Sequence, residues 1–229
     1  LRRYAHIGTG NYHAATARSY EDFGLFTADP EITADVADLF NFLTGFSRPM
    51  RFRKLLVAPF DLRDRLIDKI RATAQAAKRG ETARIRIKVN SLADSKIINE
   101  FYAASQQGVE IEIVARSICT LRPGVEGFSD NIRVLSVLGR FLEHSRVFIF
   151  EAGDDTSYYV GSADLMPRNL DHRVEAVVPV EDQRAREELK RSFDTMVTSN
   201  IHAWELKSDG NSQRLRAKKG ERPRATQTL

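Results

Sequence analysis

The chain is short of cysteine, of long apolar runs and of net charge, and each shortage excludes something. Its 229 residues include one cysteine, Cys119, so no internal disulfide can form. That usage fits a reducing compartment and a cytoplasmic location, with peripheral membrane association left open. Cys119 lies in an apolar strand-end context and reads as a buried structural thiol, not a nucleophile. No apolar run approaches the ~20 residues that a membrane helix needs. No secretory signal is expected before the first strand, and a cut N-terminus would have lost one. Net charge is only +4. Between Lys207 and Arg224 seven bases face two acids, so most of the excess belongs to the tail and the body is close to neutral. Global charge therefore argues little for nucleic acid. The stretch 207–229 lacks apolar periodicity and is expected to be a basic disordered tail. Such a tail can hold a polyanion by charge alone, although a solvated terminus is the simpler reading.

What is present suffices for a core: 42% hydrophobic and 9% aromatic residues in a length that holds one large domain, or one domain with appendages. Strand and helix patterns alternate. Tyr4–Ile7 and Phe23–Thr27 read as strands, and Val36, Leu39, Phe40 and Leu43 give helical spacing over 33–44, stopped by Gly45. The Arg-, Phe- and Pro-rich stretch 46–54 is the expected domain boundary. Beyond it, strands are expected at 55–58, 84–90, 109–115, 132–137, 146–150, 157–160 and 174–180. Helices are expected at 61–78, 94–107 and 182–197. This order indicates an α/β sandwich with a mixed sheet.

His6, His13, His172 and His202 have no partner at metal-ligand spacing, so no metal site is expected. His144 differs. Arg146 follows it two residues on, the spacing that shares a strand face. Gly161-Ser162-Ala163-Asp164 closes the next strand. A histidine nitrogen can carry a phosphoryl group, and a Gly-Ser turn offers donors to phosphate oxygens. Glu151 is the nearest acid in sequence that could orient the imidazole. Gly8-Thr9-Gly10-Asn11 repeats the glycine, hydroxyl, small, Asx pattern, which makes Thr9 and Asn11 candidate phosphate contacts. The two strings look like two copies of one half-site. In the second copy the histidine precedes the glycine by 17 residues (161 − 144). The same spacing from Gly8 falls before Leu1. The chain is accordingly expected to be a C-terminal piece, cut after a first catalytic histidine.

Longer strings carry a resemblance. Tyr4-Ala-His-Ile-Gly-Thr-Gly-Asn-Tyr12, the string from Thr16 to Gly24, Thr27–Thr33, Asn90–Asp94, Ala115–Gly124 and Met166–Asp171 resemble the C-terminal region of bacterial polyphosphate kinase. The similarity runs from about Leu1 to Trp204. It implies a phospholipase D-like fold, with 1–54 as the remnant of one half and 55–206 as the second half. It implies reversible transfer of the terminal phosphate of ATP to polyphosphate through a phosphohistidine in the first half-site. His144 matches the second histidine, which acts as an acid or electrostatic partner. Tyr20 and Arg116 match positions that contact nucleotide phosphates. The resemblance further implies magnesium held by residues outside this chain, ATP or ADP and polyphosphate as partners, and a homo-oligomeric parent. Arg146 and Glu151 replace the lysine and aspartate of the phospholipase D pattern, which argues against phosphodiester hydrolysis.

From the residues alone, Arg116 is either a phosphate clamp or a surface strand cap. Arg146, Gly161 and Ser162 are expected to supply charge and donors, with Arg122 as a possible helper. Arg168 either faces the same pocket or pairs with Asp171. Lys88 and Asn90 end a strand and are assigned ordinary strand-end roles. Two alternatives stay open: a phosphodiesterase of the phospholipase D type, and a non-catalytic domain that binds polyphosphate. The isolated chain is expected to be inactive.

Overall fold

Alternation in the central strands sets the architecture. The computed structural model describes residues 2–46 and 51–227. The chain runs β1 (Ala5–Gly8), β2 (Tyr20–Glu21), β3 (Gly24–Thr27), α1 (Pro30–Leu43), β4 (Leu56–Ala58), α2 (Leu62–Lys78), β5 (Ala83–Val89), α3 (Ser95–Ser105), β6 (Glu110–Ala115), β7 (Ile132–Val137), β8 (Leu142–Glu143), β9 (Arg146–Ala152), β10 (Asp155–Gly161), β11 (Glu175–Pro179), α4 (Gln183–Val197), β12 (Ala203–Leu206) and β13 (Ser212–Arg214). Nine strands form one mixed sheet in the order β13-β12-β7-β6-β5-β9-β10-β11-β4. The pairs β5–β6 and β6–β7 are parallel, and β9 runs antiparallel to β5.

Alternate residues go to opposite sides of a strand. Ile85, Ile87, Phe148 and Phe150 pack on one face with Leu66 and Ile70 of α2 and Phe101 of α3. Val147, Ile149 and Val160 pack on the other with Leu189, Phe193 and Met196 of α4 and Ile32 of α1. The expected α/β sandwich is thus a sheet covered on both faces, each face with its own apolar core. Burying one such Phe or Ile contributes roughly 1.5–3 kcal/mol. β5 is an exception among these strands. Its alternate residues Arg86 and Lys88 are charged yet buried, at 5% and 2% exposure. Arg86 meets Glu112 at 3.3 Å, Asp194 at 3.2 Å and Glu151 at 3.6 Å.

Two expectations change, and a third falls partly outside the described residues. Helix α1 starts at Pro30 instead of 33, because Asp29 accepts from the N–H groups of Glu31 and Ile32 and Pro30 suits the first turn. Its apolar stripe is only partly used, since Phe40 and Leu43 are exposed. The expected boundary at 46–54 falls partly on 47–50, outside the described residues. The tail expected to be disordered holds β13, paired with β12, and Leu215 packs against the second core. Arg224 then bonds through its backbone to Asn200 and Ile201, and Gln227 clips the backbone of Phe141. Composition misses this because backbone hydrogen bonds need no apolar side chains. Among the described residues, no helix is long and apolar enough to cross a membrane.

Candidate active site

Topology gathers the site at one end of the sheet. β5, β6 and β10 end there, and the antiparallel β9 begins there. The residues just past β5 and β6 are Asn90 and Arg116, the residue opening β9 is Arg146, and Asp164 follows β10. Asp164 Oδ1 accepts from the backbone N–H groups of Asn90 at 2.8 Å and Ser91 at 3.3 Å. Asp164 also pairs with Arg146 at 3.2 Å. Arg116 Nε donates to Asn90 Oδ1 at 2.9 Å. One network therefore links Arg116 to Arg146 through Asn90 and Asp164.

His144 lies in the two-residue gap between β8 and β9, with 13% of its side chain exposed. Its Nδ1 is 3.0 Å from both carboxylate oxygens of Asp22. Arg146 Nη1 lies 3.3 Å from Nδ1 and 3.1 Å from Nε2. Nearly equal separations from both ring nitrogens place Nη1 over the ring, not along either lone pair. The same Nη1 donates to the carbonyls of His144 at 2.8 Å and Thr9 at 3.1 Å. Tyr20 adds a ring contact, its centroid 4.8 Å from that of His144. The imidazole is held from several sides while the in-plane position at Nε2 has no protein partner among the described residues.

Asp22 is held in turn by Thr9, whose hydroxyl donates to it at 2.7 Å. Burial by itself would raise the Asp22 pKa. The bonds from His144 and Thr9 and the charges of His144 and Arg146 outweigh burial and hold this carboxyl below its usual range. Asp22 is thus anionic at neutral pH and selects the imidazole tautomer with its proton on Nδ1. Gly10 makes room for it: a Cβ there would lie 2.0 Å from an Asp22 carboxylate oxygen.

The expected site residues therefore divide. His144, Arg146, Tyr20, Arg116 and Thr9 come together, although Thr9 serves Asp22 and Arg146 and does not face a ligand. Glu151 does not orient His144. It sits at the far end of β9, paired with Thr156, near Arg86. Gly161 and Ser162 do not form a donor loop. Gly161 is inside the sheet, where a Cβ would meet the carbonyl oxygen of Ala176 at 2.4 Å, so its smallness serves close strand approach. Ser162 gives its N–H to Ala176 and its hydroxyl to Glu175. Asn11 is exposed, and its recorded bond is its carbonyl accepting from His13. Arg122 is exposed, gives its backbone N–H to the Tyr102 hydroxyl, and is not tied to the His144 network. Arg168 is exposed and has no ion pair among the described residues. Asp171 is taken by Arg63. Burial raises the Cys119 thiol pKa, as suits a structural cysteine.

Asp22 and Asp164 are the functional positions that sequence reasoning left unassigned, and Asn90 was given only a strand-end role. A signal for Asp22 existed: Tyr20 and Asp22 share one strand face. No local pattern tells which of 31 acids would reach a histidine 122 residues away.

Comparison with known proteins shows the family. The family profile "Polyphosphate kinase C-terminal domain 2" matches residues 55–227, and "Polyphosphate kinase C-terminal domain 1" matches residues 1–49. The polyphosphate kinase of Thermosynechococcus vestitus is 49% identical over 229 residues, all of this chain and 31% of that protein. That of Pseudomonas aeruginosa is 49% identical over 227 residues, 99% of this chain and 33% of that protein. The crystal structure of the Porphyromonas gingivalis polyphosphate kinase superposes with a TM-score of 0.93 at 36% identity. It covers 98% of this chain and 34% of that one. The chain thus spans about a third of the length of the relatives it matches, and over that span, in sequence and in fold, it belongs to the polyphosphate kinase family.

Proposed function

We propose that the chain supplies the second half-site of an enzyme that reversibly transfers the terminal phosphate of ATP to polyphosphate. The phosphohistidine is carried by another segment of the enzyme. Supporting this reading above all is the Asp22–His144–Arg146 arrangement, which leaves the in-plane position at Nε2 without a protein partner among the described residues and sets a fixed cation over the ring. With its proton on Nδ1, His144 accepts a proton at Nε2. With Asp22 holding Nδ1, the ring then donates that proton to a leaving oxygen or steadies the phosphoryl group. Phosphoryl transfer gains most from positive charge around the equatorial oxygens. Arg146 and Arg116 supply it, and the Arg116 guanidinium has a planar donor array suited to phosphate. ATP or ADP and polyphosphate are the partners in this reading, in a cytoplasmic enzyme that assembles as a homo-oligomer. Magnesium would neutralise nucleotide charge. Among the described residues no group of three or more His, Cys, Asp or Glu side chains is arranged to hold a metal.

Incubation of the 229-residue chain with γ-labelled ATP tests the assignment. No acid-labile label is expected on the protein. Robust label on His144 would overturn a phosphohistidine located elsewhere. Nucleotide-independent hydrolysis of a phosphodiester would favour the phosphodiesterase alternative.

A further inference from the structure

Asp22 and His144 meet through a very small element. β2 and β8 form a parallel ribbon in which Tyr20 is opposite Leu142 and Glu21 is opposite Glu143. Beyond these pairs, the N–H groups of His144 and Ser145 donate to the Glu21 carbonyl at 3.2 and 3.1 Å. Alternation gives this ribbon two sides. Tyr20, Asp22 and His144 occupy one side, as their mutual contacts show. Glu21, Glu143 and Ser145 occupy the other.

All three side chains on the second side converge on one atom. Lys88 Nζ donates to Glu21 Oε2 at 2.7 Å, Glu143 Oε2 at 2.7 Å and Ser145 Oγ at 2.6 Å. Ser145 Oγ also donates to Glu21 Oε2 at 2.8 Å, and Gln227 Nε2 donates to Glu143 Oε1 at 2.7 Å. Lys88 rises from β5, in the middle of the sheet, with 2% of its surface exposed. Every donor of its ammonium is therefore used on residues adjacent in sequence to Asp22 or His144. A free two-stranded ribbon is marginal in water, and this one has two residues per strand.

We propose that Lys88 is a positioning residue for the Asp22–His144 pair, pinning the ribbon of β2 and β8 to the rigid sheet from its underside. It touches neither member of the pair. It fixes their spacing by holding Glu21, Glu143 and Ser145 on one cation. A longer or shorter side chain at this position would shift both strands of the ribbon. The kinetic part of this proposal rests on the role given to His144 above. The geometric part does not.

The test uses Lys88→Arg, Lys88→Met and the double variant Lys88→Met with Glu143→Gln. The double variant removes one charge of each sign, and replacing a buried ion pair in this way is often tolerated by the fold; Glu21, which loses its cation, is 26% exposed and keeps the Ser145 hydroxyl as a donor. In the 229-residue chain, the His144 Nδ1 proton should give a downfield NMR resonance protected from exchange by Asp22. Asp22→Ala serves as the control that loses it. We expect the double variant to lose the resonance while keeping its melting transition, and Lys88→Arg to recover it in part. In a polyphosphate kinase carrying this sequence, the double variant should lower kcat about 100-fold, the scale of a misplacement near 1 Å, with little change in nucleotide KM. A retained resonance in the folded double variant would overturn the positioning role. So would loss of the melting transition in that variant, which would make Lys88 a structural pin only. Loss of the resonance with an unchanged kcat would keep the geometry and overturn the role of His144 instead.

Discussion

In the arm of the molecule, residues 2–46, Ile32 is the only buried apolar side chain among the described residues, and Tyr4, Tyr12, Phe26, Phe40, Leu43 and Phe46 are exposed. In the body, residues 51–227, Phe52, Phe101, Phe148 and Phe193 are each at 1% exposure or less. The two regions are joined in different ways. The body holds itself by apolar burial on both faces of its sheet. The arm lays Ile7, Phe23, Leu25, Ile32, Val36 and Leu39 against the second core and adds buried polar anchors, and between them runs a crevice of about 300 Å³ lined by Phe23, Leu25, Val160 and Leu189, with Arg184 and Glu188 at its edge. Asp35 is fully buried and accepts from the backbone N–H groups of Arg53, Lys54 and Leu55. Lys54 bridges Asp29 and Glu181, and Lys88 grips Glu21. The site needs both regions, because His144 comes from the body and Asp22 from the arm. Polar anchors fix register more sharply than apolar contacts do, since each donor accepts only a narrow geometry.

The largest expected effect separates chemistry from both regions. His144→Ala in a polyphosphate kinase carrying this sequence should slow turnover by roughly two to four orders of magnitude, the range of a general acid–base group. Its melting temperature should barely move, because a partly exposed histidine is not core packing. Near-normal turnover would remove His144 from the mechanism.

Asp35→Ala strikes the anchor. It strands three backbone donors and one guanidinium, and should cost about 3 kcal/mol in denaturant titration. Hydrogen exchange should quicken over the arm while β5 and β9 stay protected. Uniform loss of protection would show that arm and body are one cooperative unit and would erase the comparison.

The Arg116 variants should affect binding with little effect on folding. A charge-assisted bond to phosphate is worth about 1.5–3 kcal/mol, so Arg116→Ala should weaken polyphosphate affinity tenfold or more. Arg116→Lys should recover part of it, keeping the charge without the planar fork. Equal affinities in all three proteins would leave Arg116 a strand cap bonded to Asn90.

Acid should produce the smallest effect and the most selective one. Asp35 is held below its usual range because, against the opposing cost of burial, three backbone N–H groups and Arg53 favour its anion. Asp29 and Asp22 are lowered as well. A depressed folded-state pKa contributes stability that is complete above the ordinary aspartate value and is lost as pH falls through the depressed one. Arm amides should therefore lose exchange protection as pH drops below about 4, before those of β5 and β9. Simultaneous opening would refute polar anchoring.

Much of this molecule was legible before any coordinates. The period-2 runs at β5, β6 and β9 and the 3.6-residue stripes of α2 and α4 mark the sandwich, because burial of alternate faces is a local demand on sequence. The two-residue strands β2 and β8 and the β12–β13 hairpin leave no such trace. They are too short or too polar to show a period, and only their partners make them strands. The same division runs through the site. His144, Arg146, Tyr20 and Arg116 stand in recognisable strings. Asp22 in place of Glu151, Ser162 turned toward Glu175, and Lys88 beneath the ribbon were decided by folding. Each depends on which distant backbone arrives within hydrogen-bond reach, and the sequence by itself determined only the side chains available to be brought there.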